Sequence, residues 1–350
     1  MMELTENTLF QEEIAAFSQL PILWNKFQNK SILITGATGM IGSYLIDVLM
    51  YQNASGLNCK IIALGRSAEK AQKRFAPYWD CPEFSFVSAD INQDLPQDLP
   101  NADYVLHAAS NTHPVAYATE PISTIATNII GTNNLLNYCV RAKAQRFVFA
   151  SSVEIYGENR GDCEKFTEDY CGYIDCNTLR AGYPESKRVG EALCQAYIKE
   201  KNLDVVIARL ARIYGPTMLM SDTKALSQFI KKGINREDIV LKSAGTQYFS
   251  YCYVADAVYA LLVLFTQGDC GQAYNVADTG SDIMLKDLAA EIATHAGTKV
   301  VFEIPDAVES AGYSKATIAI LDSQKLQALG WKAQYNIHDG LSRTIDILSK

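Results

Sequence analysis

The chain has 350 residues, 48% hydrophobic and 20% charged, with a formal net charge of −8. That length suits two domains, or one large doubly wound domain with a smaller lobe, and the acidic balance argues against a nucleic-acid partner, which would show as a basic stripe. Nine cysteines without a Cys-x-x-Cys pair, only four histidines, an N-terminus carrying Glu3, Glu6, Glu12 and Glu13, and no apolar run approaching about 18 residues argue against a metal site, a secretory leader and a membrane span, and predict free thiols in the cytoplasm.

Residues 1–30 read as an appended helical segment. Ile14, Phe17, Leu20 and Leu23 recur at near-helical spacing, interrupted by Pro21. Such a segment pads either the main domain or a subunit interface. From residue 31 the rhythm changes to short apolar runs followed by amphipathic stretches. Strands are expected at Ser31–Thr35, 60–64, 84–87, Tyr104–His107, 146–150 and 204–208, and helices at 40–50, 121–141 and about 184–201. Continuous apolar strands alternating with helices predict an α/β fold, a Rossmann-type doubly wound parallel sheet covered on both faces. After Gly215-Pro216 the segments shorten, with helices expected near 223–233, 254–266, 284–296 and 338–348. The expected organisation is a helical extension (1–30), a dinucleotide-binding domain (31–214) and a smaller mixed α/β substrate lobe (215–350), parts of which, such as 251–264, pack back on the main sheet.

The first strand runs into Thr35-Gly36-Ala37-Thr38-Gly39-Met40-Ile41-Gly42. Glycine spaced G-x-x-G-x-x-G lets a strand turn sharply into a helix and lets backbone approach a pyrophosphate closely. The helix N-terminus then offers free N–H groups and a positive dipole end. The second strand ends at Gly65-Arg66-Ser67. An NAD site usually carries an acidic residue here against the ribose 2′-hydroxyl, whereas Arg66 suits a 2′-phosphate, so the residues lean toward NADP. Asp90 and Ile91, after the third strand, are candidates to border adenine.

Tyr183 and Lys187 stand four apart in Y-P-E-S-K, on one face of a helix. An ammonium near a phenol favours the phenolate, so the spacing predicts a lowered Tyr183 pKa and an acid/base usable near neutrality. The strand at 146–150 leads into Ser151-Ser152-Val153-Glu154. A hydroxyl at the C-terminal edge of a parallel sheet is where ligands bind, and Ser152 can hydrogen-bond the oxygen on which Tyr183 acts.

With these motifs the chain resembles the extended short-chain dehydrogenase/reductases of the nucleotide-sugar epimerase/dehydratase family, with motifs most like UDP-glucuronate decarboxylases and sugar-nucleotide 4,6-dehydratases. The resemblance runs from residue 31 onward, through TGATGMIG (35–42), HAAS (107–110), TNIIGT (127–132), SSVEIYG (151–157), YPESK (183–187), RLARIYGP (209–216) and LGW (329–331). It implies that Ser152, Tyr183 and Lys187 form the catalytic triad. It also implies that Gly36, Thr38, Gly39, Met40, Ile41, Gly42, Asp90, Ile91, Ala108, Ala109, Ser110 and Asn128 contact NAD or NADP, with Tyr183 and Lys187 reaching it too. Tyr183 would take the proton of a sugar hydroxyl as hydride leaves, giving a ketone on which a second step acts. Glu154 would be the base for that step, and Arg180, just ahead of the tyrosine, would face the substrate with Ser110 and Ser152. Val153 replaces the aspartate that typical dTDP-glucose 4,6-dehydratases use as acid.

Three positions depart from the family pattern. Arg212 stands where the family has Asn. Phe249 stands where it has an arginine that pairs with the diphosphate. No arginine precedes Asp322 in SKATIAILD (314–322). Arg212, Lys224 or Arg236 would then supply the missing charge. The implied activity is redox-neutral modification of a nucleotide-sugar substrate. The alternative is an NADPH-dependent reductase of a nucleotide-linked keto sugar or ketose, and a non-catalytic dinucleotide sensor has no need of the triad. The resemblance also implies a homodimer built on helices 121–141 and 184–201, the second carrying Val189, Leu193, Ala196 and Tyr197 as an apolar stripe.

Overall fold

A computed structural model describes residues 4–112, 119–303 and 317–349. Glu3 and residues 314–316 therefore lie outside the described residues. The strands are β1 (Ser31–Thr35), β2 (Lys60–Gly65), β3 (Phe84–Ser88), β4 (Tyr104–His107), β5 (Arg146–Ser152), β6 (Val205–Leu210) and β10 (Ala273–Val276), ordered β3-β2-β1-β4-β5-β6-β10 and all parallel. The order reverses at β1, and ligands bind at such a switch point, beyond the strands' C-terminal ends. Strands β1, β4 and β5 are buried along almost their whole length, as a sheet covered on both faces requires.

Helix α1 (Thr8–Phe17) is capped by Asn7, whose side chain accepts from the Leu9 and Phe10 N–H groups. It buries Phe10, Ile14 and Phe17 against α2 (Met40–Ala54), so the padding is of the main body. Glu13, fully buried on α1, accepts from Tyr44 Oη (2.9 Å), Tyr253 Oη (2.8 Å) and Arg343 Nε. It ties the N-terminal helix to α2, to the second sheet and to the last helix. Burial raises its pKa, against the pull of these partners.

After α3 (Ala68–Arg74), the region expected as 121–141 is three pieces: α4 (Pro121–Ala126), a π turn (Thr127–Gly131) and α5 (Thr132–Ala142). Helix α6 (Gly182–Lys201) follows a long loop after β5. The second sheet is built from β7 (Arg212–Tyr214), β9 (Tyr248–Tyr253), β11 (Asp282–Met284) and β13 (Ile318–Ala319) around β9, and β8 (Ile239–Leu241) pairs with β12 (Val300–Phe302). Between them lie α7 (Ala225–Ile234), α8 (Val254–Gln267) and α9 (Leu285–Ala296), with α10 (Gln324–Gln327) and α11 (Ile337–Leu348) at the end. Of the stretch 251–264, the β9 part joins the small sheet, and α8 packs on β5, β6 and α2. Strand β10 was not expected from the sequence. It is only four residues long, and its partner β6 lies more than 60 residues earlier.

Candidate active site

The glycine turn has the shape a dinucleotide needs. Gly36 adopts φ +68°, and a Cβ there would lie 2.7 Å from the Ala108 carbonyl oxygen; one at Gly42 would lie 2.5 Å from the Gly36 carbonyl oxygen. Gly39 is the N-cap of α2 and supplies no side-chain cap, which leaves the first-turn N–H groups around Met40, Ile41 and Gly42 open to a phosphate. These residues fit a pyrophosphate. Thr217 Oγ1 donates to the Met40 carbonyl (2.9 Å), pinning the turn to the chain that follows β7.

Beneath the turn runs a directional hydrogen-bond chain. Thr132 Oγ1 donates to the Asn128 carbonyl (2.6 Å), so it accepts from His107 Nε2–H (3.1 Å). His107 Nδ1 then accepts from Thr35 Oγ1 (2.9 Å), which accepts from Ala109 N–H (3.2 Å). His107 is fully buried, and burial drives its pKa well below the ordinary value, so it stays neutral. The π turn presents Asn128 between two serines. Its amide oxygen accepts from Ser110 Oγ (2.8 Å) and its nitrogen donates to Ser186 Oγ (2.9 Å), joining the Ala108–Ser110 segment to α6. Thr38 stands partly exposed beside the turn.

At the adenosine end the two expected residues differ. Ile91 is only 5% exposed and packs under Gly131, so most of its side chain belongs to the core. Asp90 remains partly exposed, its carboxylate accepting from Asn92 N–H (3.0 Å). Arg66 is exposed just past β2 and forms no ion pair among the described residues.

Strand β5 runs on through both serines, so Ser152 itself is the strand's C-terminal edge. Its hydroxyl accepts from Glu154 N–H (3.2 Å) and hydrogen-bonds Tyr183. The expected lowering of the Tyr183 pKa is reversed. Burial pushes the phenol up to about 12, outweighing the Ser152 bond, and the Glu154 charge adds to the rise. Lys187, 2% exposed, donates to the Ala150 carbonyl (2.8 Å) and stands 4.9 Å from the Phe149 ring centroid. Burial pulls it down to about 8, so it loses its proton before Tyr183 does. Desolvation is the largest cause of both shifts.

Glu154, Arg180 and Arg212 converge. Arg180 donates to Glu154 Oε2 at 3.0 Å, and Arg212 Nη2 lies 3.8 Å from Glu154 Oε1. Glu154 is therefore paired in the free protein. Arg212 stands over Phe249, and its Nη1 is buried without a hydrogen-bond partner among the described residues. Burial lowers its pKa, with Glu154 opposing. Lys224 reaches Thr112 Oγ1 (3.3 Å), just beyond Ser110, and Asp222 (3.4 Å). Arg236 is exposed in the turn that ends α7.

One group was missed by the sequence reading. Glu191 accepts from Ser151 Oγ (2.5 Å), Arg209 Nε (3.1 Å) and Arg209 Nη2 (2.7 Å). Its position one turn beyond Lys187 was the available signal. Among the described residues no helix is long and apolar enough to cross a membrane, and no group of three His, Cys, Asp or Glu side chains is arranged to hold a metal ion.

Known proteins share this architecture. The chain is 31% identical over 326 residues to UDP-glucuronic acid decarboxylase 6 of Arabidopsis thaliana, covering 92% of this chain and 90% of the relative. It is 30% identical over 322 residues to UDP-glucuronic acid decarboxylase 1 of Danio rerio, covering 92% and 73%. Its fold matches a dTDP-glucose 4,6-dehydratase from Streptomyces venezuelae solved with NAD (TM-score 0.78, 24% identity, 91% and 96% covered). It also matches a UDP-glucuronic acid 4-epimerase from Bacillus cereus in complex with UDP-glucuronic acid and NAD (TM-score 0.77, 22% identity, 91% and 98% covered). With the model of that family matching residues 32–277, this chain belongs to the NAD dependent epimerase/dehydratase family.

Proposed function

We propose that this protein modifies the sugar of a nucleotide sugar by oxidising one of its hydroxyls with a bound dinucleotide, Tyr183 moving the proton. The observation that carries this reading is the hydrogen bond between Tyr183 and Ser152 at the C-terminal edge of the central sheet, beside a glycine turn shaped for pyrophosphate. Bound in its oxidised form, the dinucleotide supplies a hydride acceptor and a positive charge that favours the Tyr183 phenolate. Gly36, Gly39 and Gly42 keep the turn bare, the α2 N-terminus takes the pyrophosphate, and Lys187 holds ribose hydroxyls. Ser152 orients the reacting oxygen. Arg180, Arg212 and Lys224 hold the anionic parts of the substrate, and Glu154, released from Arg180 as that anion arrives, serves as the base of the second step. Two arginines meeting one glutamate leave a net positive charge at that point, which suits an acidic sugar and agrees with the decarboxylases among the relatives.

The test is a panel of nucleotide sugars incubated with the purified protein and read by mass spectrometry. The expected result is loss of carbon dioxide from an acidic sugar, without added dinucleotide. Loss of water or an unchanged mass with an inverted centre would assign a dehydratase or an epimerase. A second reading, a net reductase, is favoured by Arg66, exposed where no carboxylate stands in Gly65–Ser67. It requires stoichiometric NADPH consumption and a gain of two hydrogens.

The proposed assembly is a homodimer. Helices α4 and α6 and the approach to α6 carry Ile122 (83% exposed), Ile125, Val189 and Leu179 (72% exposed) on the surface. Of the expected stripe, Leu193 is half-buried, and Tyr197 bonds Asn133 and Asn137 of the same chain, so Val189 and Ala196 are its free part. Ile122→Glu with Val189→Glu should halve the mass seen in sedimentation. All nine cysteines are free thiols, which suits the cytoplasm.

A further inference from the structure

The end of β5 divides two adjacent serines between two partners on α6. Ser152 bonds Tyr183, and Ser151 bonds Glu191. Glu191 follows Lys187 by one helical turn, which puts both on one face of the helix. Lys187 is a buried cation whose ammonium meets a carbonyl oxygen and a ring face but forms no salt bridge among the described residues. Such a group is costly to keep charged without a nearby negative charge.

Resting on the proposed role of Lys187, we propose that Glu191 is a positioning residue. Its carboxylate, clamped by Ser151 and Arg209, is the fixed negative charge that keeps Lys187 protonated and set against Ala150. The clamp prevents Glu191 from swinging onto Lys187. Arg209 grips it with two N–H groups, and is itself anchored on Tyr156 Oη (3.0 Å) and the Glu168 carbonyl (2.7 Å). Tyr156 Oη donates in turn to the buried Asn275 (2.7 Å). The other titratable groups around Lys187 are Tyr183 and Cys194 on its own helix, and His107 from β4, with Arg209 from β6 behind Glu191. His107 is neutral, and burial pushes the Cys194 thiol up, so Glu191 is the one negative charge among them at neutral pH. Burial pulls Lys187 down, and the Glu191 charge is the largest influence holding it up.

The experiment is dinucleotide binding by the full chain, followed by calorimetry from pH 6 to 10 for the wild type and Glu191→Gln. The expected result is that the pH at which binding is half lost falls by about one unit in the variant, with affinity at the acid end within about threefold of the wild type. A uniform loss of affinity at every pH with an unmoved midpoint overturns the proposal, because that is what a merely structural role predicts. If Glu191→Gln does not fold, with Arg209 left unpaired, Glu191→Gln with Arg209→Met removes both buried charges together. Its midpoint should also fall, and an unmoved one overturns the proposal. Binding needs no sugar, so this result stands apart from the sugar chemistry. Failure of the substrate panel with a shifted midpoint would sink the proposed reaction and leave the role of Glu191 intact.

Discussion

The Arg212 guanidinium stands over the Phe249 ring, 3.4 Å from its centroid. Each occupies a position where the family pattern has a different residue, and the two touch. Strands β7 and β9 pair with Arg212 opposite Tyr251, so Phe249 is the diagonal neighbour on the same side of its strand. The two departures therefore meet in one contact, in which the aromatic ring supports the Arg212 guanidinium through a cation–π interaction.

That contact supports Arg212 as the proposed leading anion contact of the substrate site. Arg212→Asn should raise KM for an acidic nucleotide sugar about 10- to 100-fold, the worth of a charge-assisted hydrogen bond. Phe249→Leu keeps the guanidinium but loses its support, and should cost about 2- to 10-fold. Steady-state kinetics on both variants checks this. A fall in kcat with KM unchanged in Arg212→Asn would contradict it.

Tyr183→Phe should lower kcat by at least about 100-fold, the usual contribution of a placed proton-transfer group. Its dinucleotide affinity should remain within a few-fold of the wild type, since the lost hydroxyl faces Ser152 and the reacting oxygen. Single-turnover assays and calorimetry separate the two effects.

Arg66 is the proposed determinant of the preference between the two dinucleotides. Arg66→Asp places a carboxylate where a ribose 2′-hydroxyl binds, and should shift the ratio of NADP to NAD affinity toward NAD by about 10- to 100-fold. Comparing dissociation constants for both dinucleotides in wild type and variant tests it. An unmoved ratio would put Arg66 outside the site.

Asp256 gives a stability prediction with a definite sign. It is buried, accepts from Gln334 N–H (2.8 Å) and Tyr335 N–H (3.0 Å), and burial raises its pKa from 3.8 to about 7 despite those bonds. A carboxyl raised on folding contributes stability that is fully present below about 3.8 and is lost as the pH rises through about 7. Asp256→Asn removes that titration. The Tm advantage of the wild type over the variant should therefore be larger at pH 5 than at pH 8. A gap that widens toward pH 8 would reverse the assignment.

Much of this site was legible because local rules govern it. The glycine turn is dictated by steric demands that act within eight residues, and Gly36 adopts the positive φ that only such a residue takes readily. Tyr183 and Lys187 share a helix face because of the helical period, and the strands at Ser31–Thr35 and Tyr104–His107 fall where their apolar runs predict. The second group of features depends on distant parts of the chain. Strand β10 joins the main sheet from beyond residue 270, and its short run carries no pattern that names β6 as its partner.

By itself, then, the order of residues determined a Rossmann-type sheet, a turn bare enough for pyrophosphate and a Tyr-Lys pair on one helix face, all consequences of short-range sterics and periodicity. The tertiary structure alone decided the electrostatics. Burial, which no spacing encodes, sends Tyr183 up and Lys187 down, opposite to what their spacing suggested for the phenol. Packing across nearly 60 residues gathers Glu154, Arg180 and Arg212 into one cluster, and sets Arg209 and Ser151 around Glu191 behind the lysine. Charge interactions depend on distance and on solvent exclusion, and both come into being only when the chain has folded.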